Sequence, residues 1–340
     1  MSGGVDSSVA AAVLLAQGYD VVGVTMQIWP NESDDDRACC SLSAVEDARR
    51  VAAKLGIPHY VLNFQEEFRR AVIDNFISEY RAGRTPNPCI QCNRWIKFDL
   101  LLRRAGELGA DCVATGHYAR TVYHEELGRW SVRRGVDRAK DQSYVLYSLT
   151  QEQLPRVLFP LGGMTKPEVR DLAREHGFRV HNKPESQEIC FVPDDDYGQF
   201  LRRETPEIAA PGPIVDTAGT PRGTHQGVAF YTIGQRRGLG IAANEPTYVV
   251  ALDPTSNTVV IGAQADLLRH RAAAEDVVFG KFSKEMLAEL APVLASLRYK
   301  MHAQPALAHV EDGRLAVTPG QALVCYDGED VAVGGTIVSE

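Results

Sequence analysis

The chain has 340 residues, 44% apolar and 24% charged, with a formal net charge of −8. That describes a globular protein of two or three domains with no run long enough to span a membrane, and it excludes indiscriminate nucleic-acid binding while leaving room for a local basic track. Seven cysteines, an odd number with no export signal before them, point to thiols in a cytoplasmic protein rather than a disulfide framework.

The first informative run is Met1-Ser2-Gly3-Gly4-Val5-Asp6-Ser7-Ser8. Paired glycines let the backbone turn tightly and approach a ligand, and Ser2, Asp6, Ser7 and Ser8 place small polar groups around the same concavity. The apolar stretch 9–16 follows at once and reads as a buried helix closed by Gly18. The loop therefore sits on a helix N-terminus, where open N–H groups and the dipole favour a phosphate. A Walker A loop is excluded, because it needs a longer spacing and a Lys after the second glycine. The run resembles the PP-loop of enzymes that split ATP between its α and β phosphates; a plain Gly/Ser turn opening a helix is the competing reading. Such loops leave the end of a central parallel strand. Only Met1 precedes this one, so a misplaced start or a truncated first strand is expected.

Residues 20–29 are apolar and β-branched enough for a buried parallel strand. Met26 lies at its carboxyl end, where ligand-facing residues gather, although a Met on a strand is more often core. An acidic loop occupies 31–37, and Ser43-x-x-Glu46 forms a capping box for a helix through Lys54. Residues 58–64 are the next strand and 65–81 the next helix. A further strand, 110–118, ends on Gly116 and His117. Gly116 lets a nucleotide approach the backbone; His117, taken alone, reads as a satisfied structural histidine. This alternation predicts an α/β fold with a doubly wound parallel sheet.

The second informative stretch is Thr85-Pro86-Asn87-Pro88-Cys89-Ile90-Gln91-Cys92-Asn93. Two prolines pin an extended turn, and Cys92 falls near the start of a helix expected over 94–108, where a thiol ionises readily. The C-x-x-C spacing admits a redox pair, half a metal site or two unrelated thiols. Lys140-Asp141-Gln142-Ser143-Tyr144 follows a hairpin expected over 121–134 and taken alone is a solvated loop. Capping patterns at Thr150 and Thr165 predict two helices, and Ser186-Gln187-Glu188-Ile189-Cys190-Phe191 comes next. Beyond about residue 200, short β-rich runs separated by Gly and Pro, among them strands expected over 212–215, 228–233, 247–252 and 258–261, predict two small β-barrels. Among them, Tyr231-Thr232-Ile233-Gly234-Gln235-Arg236-Arg237-Gly238-Leu239-Gly240 sets an aromatic and two arginines among glycines, as an RNA-contacting loop or a structural β-turn would. The expected division is 1–200, 201–267 and 268–340.

Together with the closing run Thr318-Pro319-Gly320-Gln321, these motifs occur in an order that resembles the MnmA family of tRNA-specific 2-thiouridylases, members of the PP-loop ATP pyrophosphatases. The resemblance implies ATP-dependent adenylation of the C2 oxygen of the wobble uridine, U34, in tRNAs for Lys, Glu and Gln, then sulfur transfer. ATP with Mg2+ would sit against Ser2, Gly3, Gly4, Val5, Asp6, Ser7, Ser8, Met26 and Gly116. Cys190 would carry a persulfide and Cys92 would attack or resolve it, with a Cys92–Cys190 disulfide during turnover. Asn87, Pro88 and Cys89 would line the target base; Lys140, Asp141, Gln142, His117, Arg298, Tyr299 and Gln321 would contact tRNA. The sulfur donor would be a cysteine desulfurase or a relay protein, and the enzyme a monomer. Some members carry Asp in place of Cys89. The thiol here leaves open a [4Fe–4S] cluster on Cys89, Cys92 and Cys190 beside the persulfide route. A PP-loop enzyme with another acceptor and a non-catalytic RNA-binding protein are the remaining alternatives.

Overall fold

A computed structural model of the chain describes all residues except 30–41, 185–188, 193–195, 242–244, 268–271, 300, 312–313, 317–321 and 339–340. Gln321, the 186–188 part of the Cys190 motif and the acidic loop thus lie outside the described residues. The chain divides into two units: Met1–Ala71 with Cys89–Phe191 and Arg271–Glu340, and Val72–Pro88 with Val192–His270.

In the first unit, helix α1 (Val5–Ala16) begins inside the SGGVDSS run rather than after it. It is apolar on nearly every side because it is covered on two. Val5, Val9, Ala10 and Ala12 pack on Val169 and Ala173 of a helix near residue 170, and Ala11 meets Ala52 and Ile57. Strands β1 (Gly23–Gln27) and β2 (His59–Asn63) pair in parallel, with Gly23 opposite His59 and Met26 opposite Leu62. Helix α2 (Leu42–Leu55) connects them. The Met1 amine donates to the Val24 carbonyl, and the Thr25 hydroxyl donates to the Met1 carbonyl at 2.7 Å, so the residue before the loop runs beside β1.

Helix α3 (Gln65–Phe68) leads into a wider π turn, Arg69–Ile73. The cysteine-bearing helix starts six residues before the expected Arg94. It comprises α5 (Pro88–Gln91), a π-helical stretch Cys92–Leu100 and α6 (Leu101–Glu107). Pro88 is its first residue, where a missing N–H costs nothing and the fixed φ favours the helix. The second parallel pair is β3 (Val113–Ala114) with β6 (Val157–Leu158). The two capping boxes diverge. At Thr150, Gln153 answers the Thr150 N–H at 3.0 Å, yet Pro155 follows and only a 3₁₀ turn, Leu154–Arg156, forms. At Thr165 both reciprocal bonds are present and open α7 (Lys166–Glu175), the helix that covers α1.

The hairpin β4 (Ala119–His124) and β5 (Arg129–Arg134) lies at the edge of the C-terminal strands, joined through Asp330 opposite Arg133. Those strands are β11 (Ala273–Phe279), β12 (Ala291–Ser296), β13 (Gln304–Glu311), β14 (Arg314–Ala316), β15 (Ala322–Asp327) and β16 (Asp330–Val338). The order β11-β14-β13-β12-β15-β16, with β16 returning to β11, closes an antiparallel barrel. Leu287, Val293, Leu323, Cys325 and Val333 fill it. On its outside, Val324, Tyr326 and Val331 join Phe98, Leu146, Leu149 and Leu154 in one continuous core. The barrel therefore shares its packing with the α/β layers.

The second unit holds α4 (Asp74–Arg81), α8 (Tyr197–Glu204) and a four-stranded sheet. Its strands, β7 (Gly212–Asp216), β8 (Pro221–His225), β9 (Tyr248–Asp253) and β10 (Thr258–Gly262), run in the order β8-β7-β10-β9 around Ile214, Val249 and Val259. The run expected as a strand over 228–233 is instead a 3₁₀ turn, Val228–Phe230, leading into a loop. The first unit thus contains the predicted α/β layers and an antiparallel barrel, and the second contains short strands in a single four-stranded sheet.

Gly3 adopts φ +67°, and a Cβ there would lie 2.3 Å from the Ala44 carbonyl oxygen of α2. Gly3→Ala is expected to lower stability by about 2 kcal/mol or more, because it combines a strained φ with a backbone clash. Urea unfolding of the two proteins measures it.

Candidate active site

The SGGVDSS loop is knitted mostly by its own hydroxyls. Ser7 Oγ accepts the Ser2 N–H at 3.1 Å, and the Ser7 and Ser8 hydroxyls donate to the Gly4 carbonyl at 3.3 and 2.8 Å. Gly4 is the N-cap of α1 and, having no side chain, offers no side-chain cap to the first-turn N–H groups. Gly116 backs onto the loop: a Cβ there would sit 2.8 to 2.9 Å from atoms of Asp6 and Ser7. Its glycine identity is thus required by loop packing, a different reason from ligand approach. Met26 is half-buried on β1.

Asp6 is the best-held side chain of the loop. Lys166 Nζ donates to both its carboxylate oxygens at 2.8 Å, and the Tyr118 hydroxyl donates to Oδ1 at 2.8 Å. Lys166 is buried, whereas about a third of the Asp6 side chain remains exposed. Neither partner was singled out in the sequence. A signal existed: the Thr165 capping box places Lys166 in the first turn of α7, where the helix dipole disfavours a cation.

Tyr118 is itself clamped. Its N–H donates to Gln142 Oε1 at 3.0 Å, and its carbonyl accepts the Gln142 N–H at 3.0 Å. Asp141 accepts the Gly135 and Ser143 N–H groups and the Ser143 hydroxyl. Ser143 shares a hydrogen bond with the Tyr326 hydroxyl at 3.1 Å, and the Tyr144 hydroxyl donates to the Ala322 carbonyl at 2.7 Å. The segment expected as a solvated loop is therefore a brace between the Tyr118 strand end and the barrel, with Lys140 half-buried beside it. Exposed Arg298 and Tyr299 lie at the same place. The Tyr299 ring is 6.1 Å from that of Tyr144, and burial, then Asp141 and Cys89, raise its hydroxyl pKa.

His117 is buried, hydrogen-bonded through Nδ1 to the Thr115 hydroxyl at 2.7 Å, with the Phe98 and Phe159 rings about 6 Å away. Burial, then the Lys97 charge, hold its pKa well below 6.5. The imidazole is thus neutral and satisfied within the core.

Among the described residues five cysteines carry thiols, with no disulfide. Cys89 is exposed in the first turn of the Pro88 helix, and Cys92, one turn on, is buried. Cys190 is half-buried beside Phe191, whose ring packs on Phe68 at 5.7 Å and Trp29 at 6.2 Å. Among the described residues no group of three His, Cys, Asp or Glu side chains is placed to hold a metal ion. Cys325 lies inside the barrel, where burial pushes its thiol up to about 12.

In the second unit, the Thr85 hydroxyl donates to that of Thr232 at 3.2 Å, which ties the strand-like turn before half-buried Asn87 and buried Pro88 to the Tyr231 loop. Gln235 pins that loop by exchanging N–H···O bonds with Thr232, and Arg236 and Arg237 point outward as exposed side chains.

A family model described as the tRNA methyl transferase HUP domain matches residues 1–194, and one described as the tRNA methyl transferase PRC-barrel domain matches 198–263. A protein of Carboxydothermus hydrogenoformans named tRNA-specific 2-thiouridylase MnmA is 52% identical over 99% of this chain and 96% of its own. Relatives of the same name from Heliobacterium modesticaldum and Clostridioides difficile are 52% and 49% identical, over 99% and 100% of this chain and 91% and 97% of theirs. The chain belongs to the tRNA-specific 2-thiouridylase MnmA family. The HUP match covers the SGGVDSS loop and the positions of Cys89, Cys92 and Cys190, so this MnmA-family chain holds loop and thiols within one recognised region. No helix among the described residues is long and apolar enough to cross a membrane.

Two outcomes follow from burial. The unfolded chain protonates His117 near its ordinary 6.5 while the folded chain resists; stability falls as pH drops from about 7 to about 5, by up to about 2 kcal/mol from this group. Urea midpoints across that range should fall less steeply for His117→Gln. Brief treatment with a thiol-alkylating reagent should modify Cys89 at least about tenfold faster than Cys325, by peptide mass spectrometry.

Proposed function

We propose that this chain is a tRNA-uridine 2-sulfurtransferase that activates the C2 oxygen of a wobble uridine with ATP and replaces it with sulfur. The observation that carries this reading is the N-terminus of α1: a loop closed on itself by Ser7 and Ser8, an N-cap glycine that brings no side-chain cap, and a fixed carboxylate in the first turn. That arrangement suits the phosphates of ATP. Magnesium enters as the counter-ion of the triphosphate and so as part of the substrate.

Oxygen is a poor leaving group from a uracil carbonyl. Its attack on the α phosphorus of ATP expels pyrophosphate and converts it to an adenylate, from which AMP can leave. The terminal sulfur of a Cys190 persulfide then attacks C2, the C–O bond to AMP breaks, and Cys92 attacks Cys190 Sγ. This releases the thiocarbonyl and leaves a Cys92–Cys190 disulfide that two electrons from a thiol reductant must reopen. Family resemblance supports Asn87, Pro88 and Cys89 at the base, and Lys140, Asp141, Gln142, Arg298, Tyr299 and Gln321 on the tRNA. The same resemblance gives tRNAs for Lys, Glu and Gln, a cysteine desulfurase or relay protein as donor, and a monomeric cytoplasmic enzyme. His117 belongs to that set too, and its buried imidazole would act by shaping the site rather than by direct contact.

Unmodified tRNA-Glu incubated with ATP, magnesium and a persulfide donor should yield 2-thiouridine at U34 by nucleoside mass spectrometry. Cys190→Ser should abolish the product while tRNA affinity stays within about threefold, because phosphate contacts dominate such interfaces. Asp6→Ala should lose pyrophosphate release. Pyrophosphate without 2-thiouridine in the wild type would instead mark a PP-loop enzyme with another acceptor.

A further inference from the structure

Lys166 is a cation in an unfavourable place. It occupies the first turn of α7, at the positive end of the helix dipole, with 6% of its surface exposed. Burying an ammonium is costly unless a counter-charge meets it with good geometry. Its backbone placement is over-determined. The Thr165–Glu168 capping box starts the helix, Pro167 follows in the first turn, and the Lys166 N–H donates to Asp137 Oδ2 at 2.9 Å. The contact of Val169 and Ala173 with Val5 and Val9 then brings the starts of α7 and α1 together. All of this delivers Nζ to both oxygens of Asp6.

We infer that Lys166 is a positioning residue that neutralises and orients Asp6, so that a polyphosphate can approach the N-terminus of α1. An uncompensated carboxylate in the first turn of α1 would repel a triphosphate a few ångströms away, with an energy on the order of a charge pair at a protein surface. Lys166 cancels that charge from behind. The Tyr118 hydroxyl takes a further lone pair of Oδ1 and limits rotation of the carboxylate. The exposed part of Asp6 is left on the open side, while Lys166 itself stays buried behind it. Lys166 thus acts through Asp6 and not by touching the nucleotide.

This inference rests on the ATP reading above, and a double-mutant cycle separates the two. The probe is the non-hydrolysable analogue AMPPNP with magnesium, titrated calorimetrically into wild type, Lys166→Met, Asp6→Asn and the double variant, each first checked by urea unfolding. Lys166→Met is expected to weaken binding about tenfold or more, the size of one charge interaction. The double variant, which lacks both charges, should bind more tightly than Lys166→Met alone and close to Asp6→Asn. In steady-state pyrophosphate release the Lys166→Met defect should lie mainly in KM for ATP, whereas Asp6→Asn should lower kcat.

Unchanged AMPPNP affinity in Lys166→Met overturns the inference. So do losses that multiply in the double variant, since Lys166 would then reach the phosphates itself. Failure of the wild type to bind AMPPNP removes the ATP reading and this inference together. Tight wild-type binding without 2-thiouridine formation removes only the proposed acceptor.

Discussion

The meeting of Lys166 with Asp6 is the constraint on which the packing of the two helix starts, α1 and α7, depends. An ammonium at a helix N-terminus, shielded from water, is tolerable only if a carboxylate reaches it. The carboxylate that does so belongs to the SGGVDSS loop. The apolar faces of α1 and α7 supply the driving force for the contact, through Val5, Val9, Val169 and Ala173. The ion pair adds direction: it sets which way the two helix starts face each other and holds the Asp6 oxygens in one orientation.

A second consequence runs from the same carboxylate toward the barrel. Tyr118 touches Asp6 with its hydroxyl and Gln142 with its backbone, and residues 141–144 continue through Ser143 to Tyr326 and through Tyr144 to Ala322. Each link is a short hydrogen bond at a buried or half-buried position, and the flanking side chains belong to one shared core. The Arg298–Tyr299 loop is therefore tied to the SGGVDSS loop by packing as well as by chain connection. The reaction proposed above would need such fixity, because a misplacement of about 1 Å is enough to cost a large factor in rate.

The cysteines are sorted by their surroundings. Cys325, surrounded by Leu323, Val333 and the barrel interior, is chemically silent because its thiolate has no solvent and no counter-charge. Cys89 and Cys92 sit one turn apart on a helix whose backbone widens from Cys92 onward, where the Leu101 N–H bonds back to Ile96. Such π-helical geometry is uncommon in ordinary cores and recurs at functional sites. Phe191 anchors the other thiol-bearing segment by packing its ring on Phe68 and Trp29.

Much of this was legible in the chain itself. The glycines of SGGVDSS, the alternation of strand and helix, the Thr165 capping box and the shift to short β runs near residue 200 each rest on sterics or periodicity within a few residues, and the structure contains them all. Local readings failed where context outweighed propensity. Pro155 stopped the helix that the Thr150 capping box opens, Pro88 began a helix assigned to Arg94, and the run at 228–233 turned where a strand was expected. What only the tertiary structure decided was partnership. Asp6 meets a lysine 160 residues away and a tyrosine 112 away, the segment at Asp141 becomes a brace, and His117 becomes a neutral core residue. No short window encodes those pairings, because they arise from which apolar faces bury each other, and a charge finds its counter-charge only after that packing is complete.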